Sequence, residues 1–276
     1  NLEVIRRYQS NEDNVFFAYS EFSYNTLIGA YEPFLDIICN MHRRFIGGSF
    51  DDFQKECGVY YLHRQVLNSY YETGECFREE TVLLNEVAYE RRRMTMAIAD
   101  MLKRLSEVRP LMIVINRFQM ASKSSIETIK YLIDNPCASI GIVLGVNALV
   151  KGTDSTVEVW DRIVESLEDR SAIYYIGSAG SLKNNVKTTN DDELYITMNF
   201  EQSIQEASNI MEFLDFEQAK RGCRIIEHKL KFEDAWIDEK SLRRFYMVYA
   251  RTSVLLGEMS KAIELTNEYK ARIPKN

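Results

Sequence analysis

The residues that could carry chemistry in this 276-residue chain are few and scattered. His42, His63 and His228 are its three histidines, far apart in sequence. Cys57 and His63 stand six positions apart, which is no recognised zinc-ligand spacing. The five cysteines, Cys39, Cys57, Cys76, Cys137 and Cys223, are odd in number and contain no C-x-x-C. That pattern points to free thiols in a reducing compartment. Acidic pairs such as Asp51-Asp52 and Asp191-Asp192 read as solvated loop charges. No G-x-S-x-G occurs, which removes the α/β-hydrolase nucleophile. No G-x-x-x-x-G-K-[ST] occurs either, so the amide cradle and lysine that hold nucleotide phosphates are missing from this stretch. The nearest imitation, Gly177-Ser178-Ala179-Gly180-Ser181-Leu182-Lys183, has the wrong spacing and reads as a loop.

Whatever chemistry there is must be positioned by a helix-rich scaffold. Four prolines and 12 glycines are too few for a chain built of many tight turns. The net charge of −7 argues against nucleic acid as the main partner, because displacing counterions needs clustered Lys and Arg. Arg43-Arg44 and Arg91-Arg92-Arg93 are only local clusters, and Glu90 to Arg93 reads as a solvated helix face. No run of about 18 apolar residues occurs, so no membrane span is expected. The opening Asn1-Leu2-Glu3-Val4-Ile5-Arg6-Arg7 reads like the middle of a helix. The expectation is a cytoplasmic segment of a longer protein.

Two styles of sequence meet near residue 200. Before it, short apolar runs alternate with amphipathic stretches. Strands are expected at Val15–Tyr19, Leu111–Ile115, Ser139–Val146 and Ala172–Ile176. The second is apolar at every position, as a strand covered on both faces should be. Helices are expected at Tyr31–Ile46, Glu79–Val108, Ser124–Asp134 and Ser155–Leu167. Strands alternating with helices imply a mostly parallel sheet, with 111–115 between the other two early strands.

After residue 200 the pattern is helical only, with helices at about 201–213, 216–231, 240–256 and 259–272. Ala207 and Ala250 sit at equal distance before the turns at Asp215 and Gly257-Glu258. Ala219 and Ala262 sit at equal distance after them. Both pairs are 43 positions apart. Small residues there let antiparallel helices approach closely. Leu256-Gly257-Glu258-Met259-Ser260-Lys261-Ala262-Ile263-Glu264-Leu265 resembles the second half of a tetratricopeptide repeat, and Pro274 stands where that repeat carries its proline. The usual period is about 34 residues, and the excess would lie in the loop Phe232–Asp238. The stripe Phe245, Tyr246, Tyr249 reads as repeat core.

Leu111-Met112-Ile113-Val114-Ile115-Asn116-Arg117-Phe118-Gln119-Met120-Ala121-Ser122 resembles the Walker B segment of STAND-type signal-transduction ATPases, a branch of the AAA+ family. Phe118, Gln119, Ala121 and Ser122 match that pattern. Asn116 and Arg117 stand where it has acids. Val15–Ser20 followed by Ala30-Tyr31-Glu32-Pro33-Phe34 resembles the strand and Y-x-P-F helix start that follow the P-loop helix in that family. Ile142-Val143-Leu144-Gly145-Val146-Asn147 is similar to its sensor strand, with Asn147 in place of Arg.

The resemblance implies an α/β fold: a P-loop-NTPase-like parallel sheet lacking its P-loop strand over 1–198, then an all-α tetratricopeptide-like array over 199–276. It places the degenerate nucleotide positions at Asn116, Arg117 and Asn147. No cofactor is expected for this segment, although relatives of this kind use ATP and Mg²⁺. The Walker B acid normally positions the metal and the attacking water, whereas Asn116 could coordinate only weakly through its uncharged carbonyl and Arg117 would oppose a metal. The expected role is a regulatory and scaffold segment of a bacterial signalling protein. Its helical repeats would bind a protein or an internal output domain such as a cyclase or a transcription regulator. The alternatives are an ATP-hydrolysing switch once an upstream P-loop is supplied, or a purely structural interaction module.

Overall fold

The computed structural model describes residues 15–22, 29–78, 82, 85–146, 200–232 and 237–272. Asn147, the strand expected at 172–176, the helix expected at 155–167, the loop 177–183, Asp191-Asp192 and Pro274 lie outside them. The described chain is mostly helical with a small parallel sheet. Its order is β1 (Phe16–Glu21), α1 (Phe34–Met41), α2 (Phe50–Glu56), α3 (Tyr61–Thr73), α4 (Val87–Val108), β2 (Leu111–Asn116), α5 (Lys123–Asp134), β3 (Ile140–Leu144), α6 (Phe200–Glu212), α7 (Phe216–Phe232), α8 (Glu239–Leu255) and α9 (Met259–Arg272).

The chain divides into two compact units. The first holds β1, residues 31–59 and the chain from Thr95 through β3. The second holds residues 60–94 together with the helices from Phe200 onward. The division falls within α4, between Met94 and Thr95.

In the first unit the three strands run parallel in the order β1-β2-β3. The central strand is pleated into unequal faces. Leu111, Ile113 and Ile115 are buried, while Met112, Val114 and Asn116 are only half-buried. Val114 was expected to be fully covered, and it is not. The register sets it in one row with Tyr19 and Val143, and both of these are exposed. Side chains alternate across a strand, so an unbroken apolar run still presents two different faces.

The helices of this unit begin and end by local chemistry. Ser49 caps α2 by accepting from the Asp52 amide at 3.2 Å. Ser122, not Ser124, caps α5 by accepting from the Ser125 amide at 3.3 Å. Helix α1 starts at Phe34, later than Tyr31, because Tyr31 adopts a left-handed conformation with φ 59°. Its continuation through His42–Ile46 winds as a π-helix. Phe34, Ile38 and Met41 of α1, Ile98, Met101, Leu102 and Leu105 of α4, and Ile126 and Ile129 of α5 are buried in the core.

In the second unit the last four helices form two hairpins of equivalent geometry. Leu214 (φ 65°) and Gly257 (φ 79°) occupy the same turn position 43 residues apart. The Asp215 amide donates to Ile210 O, and the Glu258 amide donates to Ser253 O. The Ala219 amide donates to Asp215 O, and the Ala262 amide donates to Glu258 O. Glycine takes the left-handed turn without a steric penalty, whereas leucine takes it at a cost of about 1–2 kcal/mol. Ala207, Ala219 and Ala262 are buried, and Ala250 is half-buried. Phe245, Tyr246 and Tyr249 are buried core, as expected. Helix α8 packs against both α6 and α7.

Candidate functional site

The C-terminal edge of a parallel sheet is where α/β folds place ligands. Here that edge carries Glu21, Asn116 and Arg117. Glu21 and Asn116 are directly paired across β1 and β2. The chain then turns sharply, with Arg117 left-handed at φ 57° and ψ 40°. Asn116 Oδ1 supports the turn by accepting from the Arg117 amide at 3.0 Å. The turn is tied on both sides: the Phe22 amide donates to Asn116 O and the Phe118 amide donates to Gly145 O. A Cβ at Gly145 would lie 2.6 Å from Asn116 Oδ1, so a larger residue there would displace the Asn116 side chain.

That geometry aims Arg117 back across the edge. Its Nη2 lies 3.1 Å from Glu21 Oε1, and its Nη1 donates to Phe22 O at 3.4 Å. Tyr19 donates its hydroxyl to Glu21 Oε2 at 2.8 Å. This bond is the main reason the Tyr19 hydroxyl titrates above its ordinary value. Both carboxylate oxygens of Glu21 are therefore engaged. The structure brings Asn116 and Arg117 together with Tyr19, Glu21 and Gly145, which sequence reasoning did not single out. The signal for Glu21 was slight: an acid at the end of a strand whose partner strand ends in a degenerate acidic motif.

The motifs behind the resemblance meet in space. The Tyr31 amide donates to Ser124 Oγ at 3.0 Å, and Ser125 Oγ donates to Glu32 O at 2.7 Å. The Tyr31-Glu32-Pro33-Phe34 turn is thus fastened to the serines that follow Ala121. The rings of Phe22 and Phe118 stand 6.5 Å apart beneath the edge.

Among the described residues this edge carries one carboxylate, Glu21, and it is paired with a guanidinium, whereas a divalent cation takes several oxygen ligands. Among the described residues no group of three His, Cys, Asp or Glu side chains is placed to hold a metal. No described helix is long and apolar enough to cross a membrane.

A second cluster of titratable groups lies in the second unit. His63 is fully buried with Nε2 3.0 Å from Glu90 Oε2. Burial, with Arg78 and Arg93 nearby, lowers the imidazole to about 3, so at neutral pH this contact is not an ion pair. Arg93 reaches Glu90 Oε1 at 3.3 Å and stacks 3.8 Å from the centre of the Tyr60 ring. Glu90 is buried, which corrects the expectation of a solvated face for Glu90 to Arg93. Arg78 donates to Glu212 O at 3.1 Å, and Arg251 meets Glu212 Oε1 at 2.9 Å. Burial raises the Glu212 carboxyl despite both arginines. Asn209 accepts from the Cys76 amide at 2.9 Å and donates to Gly74 O at 3.0 Å. These bonds fasten residues 74–78 to α6.

All five thiols are free. Burial pushes Cys39 and Cys57 up to about 12, which makes both poor nucleophiles. Comparison of the chain with protein-family models, with curated proteins and with solved structures finds no match.

Proposed function

We propose that this chain is a regulatory and scaffold segment of a larger signalling protein. It would pair a STAND-like nucleotide-binding module without hydrolysis to a tetratricopeptide-like array that binds a partner. The observation that carries the reading is the Arg117–Glu21 pair at the sheet edge, where the resemblance puts acids that hold a metal. Among the described residues the one carboxylate at this edge, Glu21, is paired with the Arg117 guanidinium. A guanidinium offers no metal ligand and no general base. The meeting of the Tyr31–Phe34 turn with the serines after Ala121 supports the module's identity. The paired hairpins support the array. The setting that suits this reading is the cytoplasm of a bacterium, with the output carried by another domain or protein.

Titration calorimetry of the chain with Mg-ATP tests the sheet edge. No saturable heat is expected. A dissociation constant in the low micromolar range would overturn the reading and favour an active switch.

A further inference from the structure

The two hairpins are equivalent position by position, yet one of their faces is buried in the first and open in the second. Ile204 and Met211 of α6, and Phe216 and Lys220 of α7, are buried. Their equivalents 43 residues on are Met247, Val254, Met259 and Ile263, and all four are exposed. The contrast is large: Ile204 is 2% exposed and Met247 61%, Lys220 8% and Ile263 62%.

The first hairpin uses this face to receive the second. Glu212, Lys220 and Glu227 share it by helical spacing with Ile204, Met211 and Phe216. Glu212 pairs with Arg251 at 2.9 Å, Lys220 pairs with Glu258, and Glu227 meets Lys261 at 3.4 Å. Tyr249 donates its hydroxyl to Glu227 at 3.2 Å. What the face receives is α8, whose buried stripe is Phe245, Val248, Tyr249 and Thr252 at spacing i, i+3, i+4, i+7.

In the second hairpin the same face is more apolar and the charges aligned with it are basic, with Glu239 flanking them at the start of α8. The buried Glu212 and Lys220 become Leu255 and Ile263, and Glu227 becomes Lys270. Lys240 and Arg243 fall on the same side of α8 as Met247, by helical spacing, and both are exposed. In a chain of net charge −7, this is a local apolar surface with a basic rim.

We infer that the Met247–Val254–Met259–Ile263 face of α8 and α9 docks an amphipathic α-helix of a protein partner, with an α8-like apolar stripe flanked by carboxylates. The basic rim selects the acidic flanks and disfavours a second copy, whose own rim would repel it. The inference specifies the partner-binding half of the function proposed above. It rests on the hairpin geometry alone, so its failure and a failure of the Mg-ATP titration are separate results.

The test uses the full chain and two fluorescein-labelled synthetic helical peptides. Both carry Phe, Val, Tyr and Thr in the i, i+3, i+4, i+7 pattern. One has Glu at the flanking positions and the other Lys. Fluorescence anisotropy should show saturable binding of the Glu peptide and at least tenfold weaker binding of the Lys peptide. Met247→Asp and Ile263→Asp should each weaken the Glu peptide at least tenfold, with circular dichroism and melting unchanged because both sites are exposed. Arg243→Glu should weaken the Glu peptide and strengthen the Lys peptide. Binding of neither peptide, or binding indifferent to Ile263→Asp, overturns the inference. So does a concentration-dependent dimer in sedimentation that Ile263→Asp abolishes, which would make the occupant a second copy. Binding to phosphatidylserine vesicles lost in the same variant would make it a membrane, and overturns the inference equally.

Discussion

His63 is a buried imidazole held neutral, with two guanidinium groups nearby and the Glu90 carboxylate 3.0 Å away, and it makes stability depend on pH. His63 ionises near 6.5 when unfolded and at about 3 in the fold. The unfolded chain therefore binds the extra proton over this range, and stability falls as pH drops from about 6.5 toward 3. Between pH 7 and 5 the loss assigned to this one group is about 2 kcal/mol. The raised carboxyl of Glu212 works in the opposite sense, so the comparison has to be made against a variant. Chemical denaturation of the parent and of His63→Gln at pH 7 and pH 5 should show a clearly shallower dependence in the variant. Parallel curves would mean that His63 is protonated in the fold. At the sheet edge the same logic of charge and burial acts through geometry. Arg117 occupies a backbone region that few side chains tolerate, and the Asn116 side chain supports it there.

At the scale of elements, the hairpin is the repeating unit. Its turn places a positive-φ residue, an acid whose backbone carbonyl accepts from the alanine amide, and a buried alanine in fixed order: Leu214, Asp215 and Ala219, then Gly257, Glu258 and Ala262. Replacing the buried Ala262 with leucine should overpack the hairpin and cost about 1–3 kcal/mol. The neighbouring Lys261 pairs with Glu227 and Glu264 and lies over the Tyr249 ring, so a change there is not neutral. Asn267 is exposed and serves as the control; Asn267→Leu should change stability by no more than about 0.5 kcal/mol. Thermal melts of the two variants decide this, and equal melting temperatures would remove the packing role assigned to Ala262. The four helices after residue 200 were legible to within a residue, because amphipathic spacing is a local signal, whereas α4 begins at Val87 rather than Glu79 and α2 and α3 were not expected. Helix caps were less legible: Ser122 and Ser124 are equally good candidates on paper, and backbone geometry chose between them.

At the scale of the whole molecule, residues 60–94 belong with the C-terminal helices. Asn209 holds the backbone at Gly74 and Cys76, Arg78 donates to Glu212 O, and Tyr70 packs edge-on against Phe213 at 6.1 Å. A fragment of residues 199–276 would leave Asn209, Glu212 and Phe213 without these partners. It should be less helical by circular dichroism than its share of the intact chain and should melt at a lower temperature. A fragment that melts as cooperatively and as high as the intact chain would show the array to be self-sufficient.

The sequence by itself determined the elements whose signals are local. The strands at 16–21, 111–116 and 140–144 and the four helices after residue 200 follow from side-chain periodicity, which each segment carries without reference to the rest. It also determined the 43-residue equivalence, because a repeated turn needs the same backbone at the same offset. Tertiary structure alone decided that Glu21 and Arg117 meet, since 95 residues separate β1 from its neighbour in register. It alone decided that Glu90 is buried against His63 and that Val114 lies in the more exposed row of the sheet. Charge and periodicity say that a residue can be buried or paired. Which partner it finds depends on long-range packing, which no local window of sequence contains.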